Sequence, residues 1–213
     1  MKTLIVYLKP KDELYEVEDQ LNLIPCDKLV LSYFPYPQVY QEALKQIKKL
    51  TDYEFIVWVQ NDIVLTCTGF EQLRRGLEST QAAILGAVMN VDLSPKGLEL
   101  LAYTVDNFII EKNQIGFLPK DPPYVERGRF QGLTKVFHNG GVFICKREFY
   151  IKYPLTGMGT GGYNADLKHG SEIRKAGLNY WVDNNIILKH LRYSGKMQVH
   201  KKPPKVELIK YDN

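Results

Sequence analysis

Short apolar runs alternate with charged, amphipathic stretches over the first ninety residues, and that alternation restricts the fold more than any other feature. Thr3 to Leu8 is an apolar run suited to a buried strand, after which Leu14, Val17 and Leu21 recur at helical spacing among charged residues. Leu29 to Phe34 reads as the next strand, followed by a basic helix with the apolar stripe Tyr40, Ala43, Leu44 and Ile47. Phe55 to Val59 is a third strand. Thr68 then opens a T-x-x-E capping box with Glu71, ahead of a helix that buries Phe70, Leu73 and Leu77. Ala83 to Met89 makes a fourth strand. Strands and helices alternating at this spacing fold as right-handed βαβ units. The expected class is therefore α/β, with a mostly parallel central sheet and flanking helices. Ligands of such sheets sit beyond the carboxyl ends of the strands, so the residues just after each strand are the ones to search.

The alternation stops after Met89. Tyr103 to Ile110 and Ile115 to Leu118 read as a hairpin turning at Lys112-Asn113, followed by Asp121-Pro122-Pro123 and a stretch rich in Gly and Arg. Asn90 to Lys135 is expected to form an inserted hairpin and loop lobe. Regular structure resumes with a strand near Val142 to Cys145, a Gly-rich loop, a helix ending at Gly177 and a strand at Asn185 to Leu191. Gly177 is a natural C-cap, with Arg174 and Lys175 complementing the helix dipole.

Composition narrows the class further. At 213 residues, 45% hydrophobic and 24% charged, the chain has the make-up of one globular core with a small extra lobe. No apolar run approaches the roughly 18 residues of a membrane span, and charged Lys9 to Asp12 closes the first run too early for a secretory leader. Cys26, Cys67 and Cys145 are scattered without metal-ligand spacing, as expected of free thiols in a reducing, cytoplasmic compartment. A net charge of +4 does not call for a nucleic-acid partner. Part of that charge lies in a basic tail, where Lys196, His200, Lys201, Lys202 and Lys205 surround Pro203-Pro204. The tail is expected to be solvated, the alternative being a docking patch for an anionic surface.

Four segments carry candidate chemistry. In Val57-Trp58-Val59-Gln60-Asn61-Asp62-Ile63-Val64 a strand runs into a polar triplet ending in an acid. A carboxylate there can hold a hard divalent cation, and the same residues also suit a plain turn. Gly140-Gly141, ahead of a strand, permits close approach of backbone to a ligand or a simple bulge. Gly157 to Gly162 could form a flap or an anion nest, and Asp166 follows in what reads as the first helical turn, where the dipole alone would favour an acid. Asp183 and His190 flank an apolar strand, and a histidine at a strand end can ligate a metal or simply hydrogen-bond. His138, His169 and His200 have no recognisable ligand spacing.

In this order the four segments resemble GT-A glycosyltransferases, especially the inverting family-2 type, compact members of which occur in archaea and their viruses. Gln60-Asn61-Asp62 falls in the slot of the D-x-D triplet, Gly140-Gly141 in the second motif, Ala165-Asp166 with Arg174 and Gly177 in the acid-helix motif, and His190 in the last slot. The similarity covers roughly Thr3 to Leu191. It departs from the family at Gln60, where the first Asp of the triplet usually stands, and at Ala165, where the first acid of a pair usually stands. His169 and Glu172 also occupy places where Leu and Arg are common.

The resemblance implies one GT-A domain. Residues 1–89 would form the nucleotide-binding half, 90–135 the inserted lobe that selects the acceptor, 136–194 the catalytic half and 195–213 the tail. It implies transfer of a sugar from a nucleotide-diphosphate donor to a hydroxyl of a glycan, lipid or protein acceptor. Mn2+ or Mg2+ would be bound by Asp62 with His190, and Asp166 would be the general base of an inverting reaction. The donor would meet Lys9, Pro10, Ser32, Gln60, Asn61, Asp62, Gly140 and Gly141. The rivals are a nucleotidyltransferase of sugar phosphates, which the absence of a Gly-rich basic loop after the first strand disfavours, and a non-catalytic GT-A-like binding protein.

Overall fold

The computed structural model describes residues 2–9, 14–35, 37–80, 82–91, 102–104, 108–111, 114–117, 132–139, 141–156, 162–191 and 202–211. The first half follows the expected alternation: β1 (Thr3–Lys9), α1 (Tyr15–Leu23), β2 (Asp27–Ser32), α2 (Gln38–Lys49), β3 (Phe55–Val59), a two-residue β4 (Ile63–Val64), α3 (Cys67–Ser79) and β5 (Ile84–Val91). Then come β6 (Ala102–Thr104), β7 (Phe108–Glu111), β8 (Gln114–Phe117), β9 (Leu133–Asn139), β10 (Val142–Lys146), α4 (Arg147–Lys152), α5 (Gly162–Lys175), β11 (Tyr180–His190) and β12 (Lys205–Ile209).

The main sheet has the order β12-β2-β1-β3-β10-β5-β11-β9-β6, with β4 paired to β11. β1 pairs in parallel with β2 and β3, and β5 with β11. β10 is wedged antiparallel between β3 and β5, and β9, β6, β4 and β12 also pair antiparallel. The sheet is thus mixed, which corrects the expectation of a mostly parallel one. The physical reason is the connection. Helices α1, α2 and α3 return the chain for parallel strands, but β9 already runs against β11 and leads into β10 through residues 140 and 141 in the same direction, so β10 enters against β3 and β5. β9 and β10 are not neighbours, because β5 and β11 lie between them, and the sheet curls to bring their ends together.

Alternate residues of each strand point to opposite faces and feed two cores. Leu4, Val6, Leu29, Ile56, Trp58 and Phe143 pack beneath α2, α4 and α5, whereas Ile5, Tyr7, Val30, Val57 and Ile144 pack beneath α1 and α3. Trp58 is fully buried and stacks against Tyr40, Phe143 and Tyr150 at centroid distances of 5.9, 6.1 and 5.6 Å. The cap of α3 is Thr66, whose hydroxyl accepts from the Gly69 N–H at 3.1 Å, and not the expected Thr68. Thr66 alone has the extended backbone that an N-cap requires, while Thr68 already lies inside the helix. At the far end of α5, Gly177 (φ 72°) closes a Schellman motif, with Gly177 N–H bonded to Arg174 C=O and Leu178 N–H to Ile173 C=O.

Of the expected lobe, β7 and β8 form a two-stranded hairpin about the expected turn, and Lys112-Asn113 itself lies outside the described residues. Tyr103 belongs not to that hairpin but to β6, opposite His138 of β9. The expected tail contains β12, which lies antiparallel on β2 from Lys205↔Ser32 to Ile209↔Lys28. Cys26, Cys67 and Cys145 are free thiols. Among the described residues no helix is long and apolar enough to cross a membrane.

Candidate active site

β1, β2, β3, β5 and β11 run in one direction, so their carboxyl ends share an edge of the sheet. At that edge Gln60-Asn61-Asp62 forms a tight turn between β3 and β4, closed by Ile63 N–H to Gln60 C=O at 3.3 Å. Gln60 N–H donates to Gly141 C=O at 2.7 Å, tying the turn to the entrance of β10. Gly141 has φ 110°, outside the regions open to other residues, so a glycine is needed where the chain bends into that contact.

His190 reaches the same turn by means of a bulge. Before it, Tyr180 to Asp183 of β11 pair with β9; after it, Lys189 and His190 pair with Val64 and Ile63 of β4. The register against β5 slips between Asp183 and Ile187. Asn184 holds the bulge by donating to Gly132 C=O and to the Thr134 hydroxyl, and Asp183 by accepting from the N–H and the side chain of Asn185. Asp183 therefore serves the bulge. His190 Nε2 then lies 3.1 Å from Asp62 Oδ2, both residues are 9% exposed, and Leu191 N–H donates to Asp62 C=O.

His190 Nε2 and Asp62 Oδ2 are hydrogen-bonded to each other, at a spacing that two ligands of one divalent cation would also have. Ligands about 2.1 Å from one ion at right angles are about 3 Å apart, close to the 3.1 Å between His190 and Asp62. Among the described residues no group of three or more His, Cys, Asp or Glu side chains could hold a metal. An ion bound here would take its remaining ligands from water or a diphosphate, as Mg2+ commonly does.

Asp166 is the other acid of this edge. It is the fifth residue of α5, whose first turn holds no acid, so the helix dipole gives no account of it. It is 9% exposed. Burial raises its carboxyl from the ordinary 3.8 to about 8, partly opposed by a hydrogen bond from the Gln60 side chain. An acid held this way is unfavourable for folding and suits proton transfer near neutral pH. Nearby, His138 and His169 are each 2% exposed, and His169 Nε2 lies 2.9 Å from Tyr153 C=O. Burial lowers His138 to about 3 and His169 to about 4, so both are neutral core histidines.

The remaining expected residues divide. Lys9 ends β1 and is ion-paired to Glu18 at 2.6 Å. Ser32 ends β2 and is 2% exposed, and Asn61 is half-buried in the turn. Pro10, Gly140 and the segment 157–161 lie outside the described residues. The sequence reading missed Tyr7, a buried phenol whose proton is held more tightly by burial and by the charges of Glu18 and Asp62. It also missed Tyr33, just past β2, which has φ 65° and lies beneath the Lys202 ammonium at 5.3 Å. A non-glycine residue in the left-handed region at a strand end was a signal only the backbone could give. Clefts of about 580 and 330 Å3 lie at the opposite, amino-terminal edge, lined by residues such as Lys2, Arg74 and Lys210 or Asp52 and Arg147, and they include none of the expected site residues.

No family model matches the chain, and no curated protein matches it. Solved structures do. The crystal structure of A197 from STIV matches with a TM-score of 0.60 at 14% identity, over 100% of this chain and 96% of that one. GalNAc-T7 with UDP, GalNAc and Mn2+ matches with a TM-score of 0.56 at 10% identity, over 89% of this chain. This chain spans 44% of the GalNAc-T7 chain. At these identities the likeness is one of fold. The chain has a Rossmann-like α/β fold with a curled, mixed sheet, shared with a transferase bound to a nucleotide, a sugar and a metal.

Proposed function

We propose that this protein is a metal-assisted, inverting glycosyltransferase that takes a nucleotide-diphosphate sugar as donor and a hydroxyl of a glycan, lipid or protein as acceptor. The observation that carries the reading is the single turn Gln60-Asn61-Asp62, which touches the buried acid Asp166 on one side and His190 on the other. Asp166 accepts the proton of the acceptor hydroxyl as its oxygen bonds the anomeric carbon. The bond from that carbon to the diphosphate breaks, and the nucleoside diphosphate leaves with the electron pair. When bound by Asp62 and His190, Mn2+ or Mg2+ supplies positive charge for the diphosphate oxygens. Gly141 lets backbone approach the donor, with Asn61 in the adjoining turn, and Lys9 and Ser32, at the ends of β1 and β2, border the nucleotide; the expected donor contacts Gly140 and Pro10 lie outside the described residues. The 90–135 lobe selects the acceptor. A cytoplasmic location agrees with the three free thiols.

The test is release of nucleotide from UDP-, GDP-, CMP- and dTDP-sugars with Mn2+, by wild type and Asp166→Asn. Turnover of one donor, abolished in the variant while donor binding survives, is expected. Equal turnover would remove Asp166 from the reaction. Pyrophosphate made from a nucleoside triphosphate and a sugar phosphate would assign the protein to the nucleotidyltransferases instead. Donor binding without turnover on any acceptor would indicate a binding protein.

A further inference from the structure

We infer that β12 is the interface of a homodimer, in which two copies of this chain join their sheets by antiparallel pairing of this strand with itself, centred on Val206. The inference does not depend on the catalytic reading.

β12 stands at one end of the main sheet, and among the described residues no strand covers its outer edge. Such an edge offers a row of backbone N–H and C=O groups to a further strand. Its side chains agree. Val206, Leu208, Ile209 and Tyr211 are 36, 39, 45 and 44% exposed, and they make up half of the large apolar side chains exposed among the described residues. The strand is also well held. It follows β2 without a bulge from Lys205↔Ser32 to Ile209↔Lys28. Just past it, Asp27 accepts from Tyr211 N–H at 2.8 Å and from Lys210 Nζ at 3.1 Å. A regular, anchored strand of this kind is a template for pairing.

Charge selects the partner and the register. In a two-fold antiparallel pair within one sheet, one residue lies opposite its own copy, and residues equally far to either side of it face each other. Centring on Val206 sets Lys205 of each copy opposite Glu207 of the other. These two side chains share one face of the strand and are ion-paired at 2.5 Å within a chain. Four charges of alternating sign therefore meet across the axis, and Val206 meets its copy on the other face. Centring on Lys205 or Glu207 sets like charges directly opposite, which is unfavourable. Centring on Leu208 leaves Glu207 opposite Ile209. Pro204 has no N–H, falls opposite Leu208 in the Val206 register and ends the ladder there. So short a contact makes the association weak and dependent on concentration.

The test is molar mass by light scattering at low salt, from about 10 μM to about 1 mM protein. Wild type should rise from 24.6 kDa toward twice that mass. Lys205→Glu and Glu207→Lys each set like charges across the axis and should stay at 24.6 kDa. A one-to-one mixture of the two variants should recover the wild-type rise, because the mixed pair again sets Lys opposite Glu. Loss of the ion pair within a chain cannot give that recovery. The register is read separately by oxidative cross-linking in a Cys67→Ser background. Opposed residues of an antiparallel pair have Cα atoms about 4.5–5.5 Å apart, within reach of a disulfide. Val206→Cys should therefore give a cross-linked dimer. Leu208→Cys, whose copy lies roughly 13 Å away along the strands, should not. The inference is overturned by a wild type that stays monomeric to about 1 mM, by a single charge variant that associates as wild type does, by a mixture that does not associate, or by cross-linking at 208 in place of 206. The cross-link needs neither charge variant, so it decides the matter should one of them not fold.

Discussion

Replacing Asp166 by Asn should stabilise the protein while removing its activity. In the fold the carboxyl is held at about 8 against an ordinary 3.8, so between those pH values the folded state keeps a proton that the unfolded chain has released. Stability therefore falls as pH rises through that window, because the unfolded state binds fewer protons. At pH 7 the chain is a little over three pH units into the window, and each unit corresponds to about 1.4 kcal/mol. The cost of keeping Asp166 is thus about 4 kcal/mol, which for a chain of this size corresponds to roughly 10 °C in Tm. Asparagine fills the same space, is never charged and can still bond Gln60. The assay is urea or thermal unfolding of wild type and Asp166→Asn at pH 4, 6 and 8. The variant's advantage should be near zero at pH 4 and grow toward pH 8. Contributions from the histidines are common to both proteins and cancel in the difference. An advantage that did not depend on pH, or a less stable variant at pH 8, would refute the claim that this acid is held against its tendency to ionise. A site that spends stability on a poised acid is the usual trade between stability and activity.

Four further outcomes follow from the same geometry. With His138 lowered to about 3 and His169 to about 4, the unfolded chain takes up protons below its ordinary 6.5 that the fold refuses. Stability should then drop as pH falls from 6.5 toward 4, most visibly in Asp166→Asn, and unfolding midpoints of His138→Leu in that background should show a shallower drop. Transfer should rise about tenfold per pH unit below the Asp166 midpoint and level off above it, as a pH–rate profile would show. Gly141→Ala forces a side chain onto a backbone at φ 110° and should cost about 1–3 kcal/mol in urea unfolding. Thr66→Ala removes the α3 cap and should cost about 1 kcal/mol, whereas Thr68→Ala should cost little, by the same assay.

What could be read from the chain alone follows from where the information lies. β3 was legible to the residue because Phe55 to Val59 is buried on both faces and reads as an unbroken apolar run. The first half of β11 was not, since Tyr180 to Asn184 mixes aromatic and polar residues whose partners, Gly132 and Thr134, are about fifty positions away in sequence. Strand direction is carried by no periodicity, so β10 was found as a strand but not as the antiparallel wedge it is. β12 was hidden by its own charges: it is an edge strand with Lys205 exposed to water and Glu207 half-buried, a composition shared with a solvated tail. At the site, Asp62 and His190 were each found at a strand end, but their contact depends on a bulge that no local pattern announces. Asp166 was singled out in the sequence through the resemblance. Its burial, its place beyond the first turn of α5 and its bond to Gln60 needed the fold.

The most direct test of the central claim is a thermal-shift comparison of UDP-, GDP-, CMP- and dTDP-sugars, with and without Mn2+, on wild type and Asp62→Ala. A donor that binds the native state must raise the unfolding temperature. The account predicts that one nucleotide-sugar stabilises the wild type in the presence of metal, and that this gain is lost without metal or in Asp62→Ala. A flat response of the wild type to every donor, or a gain that Asp62→Ala keeps in full, would contradict it.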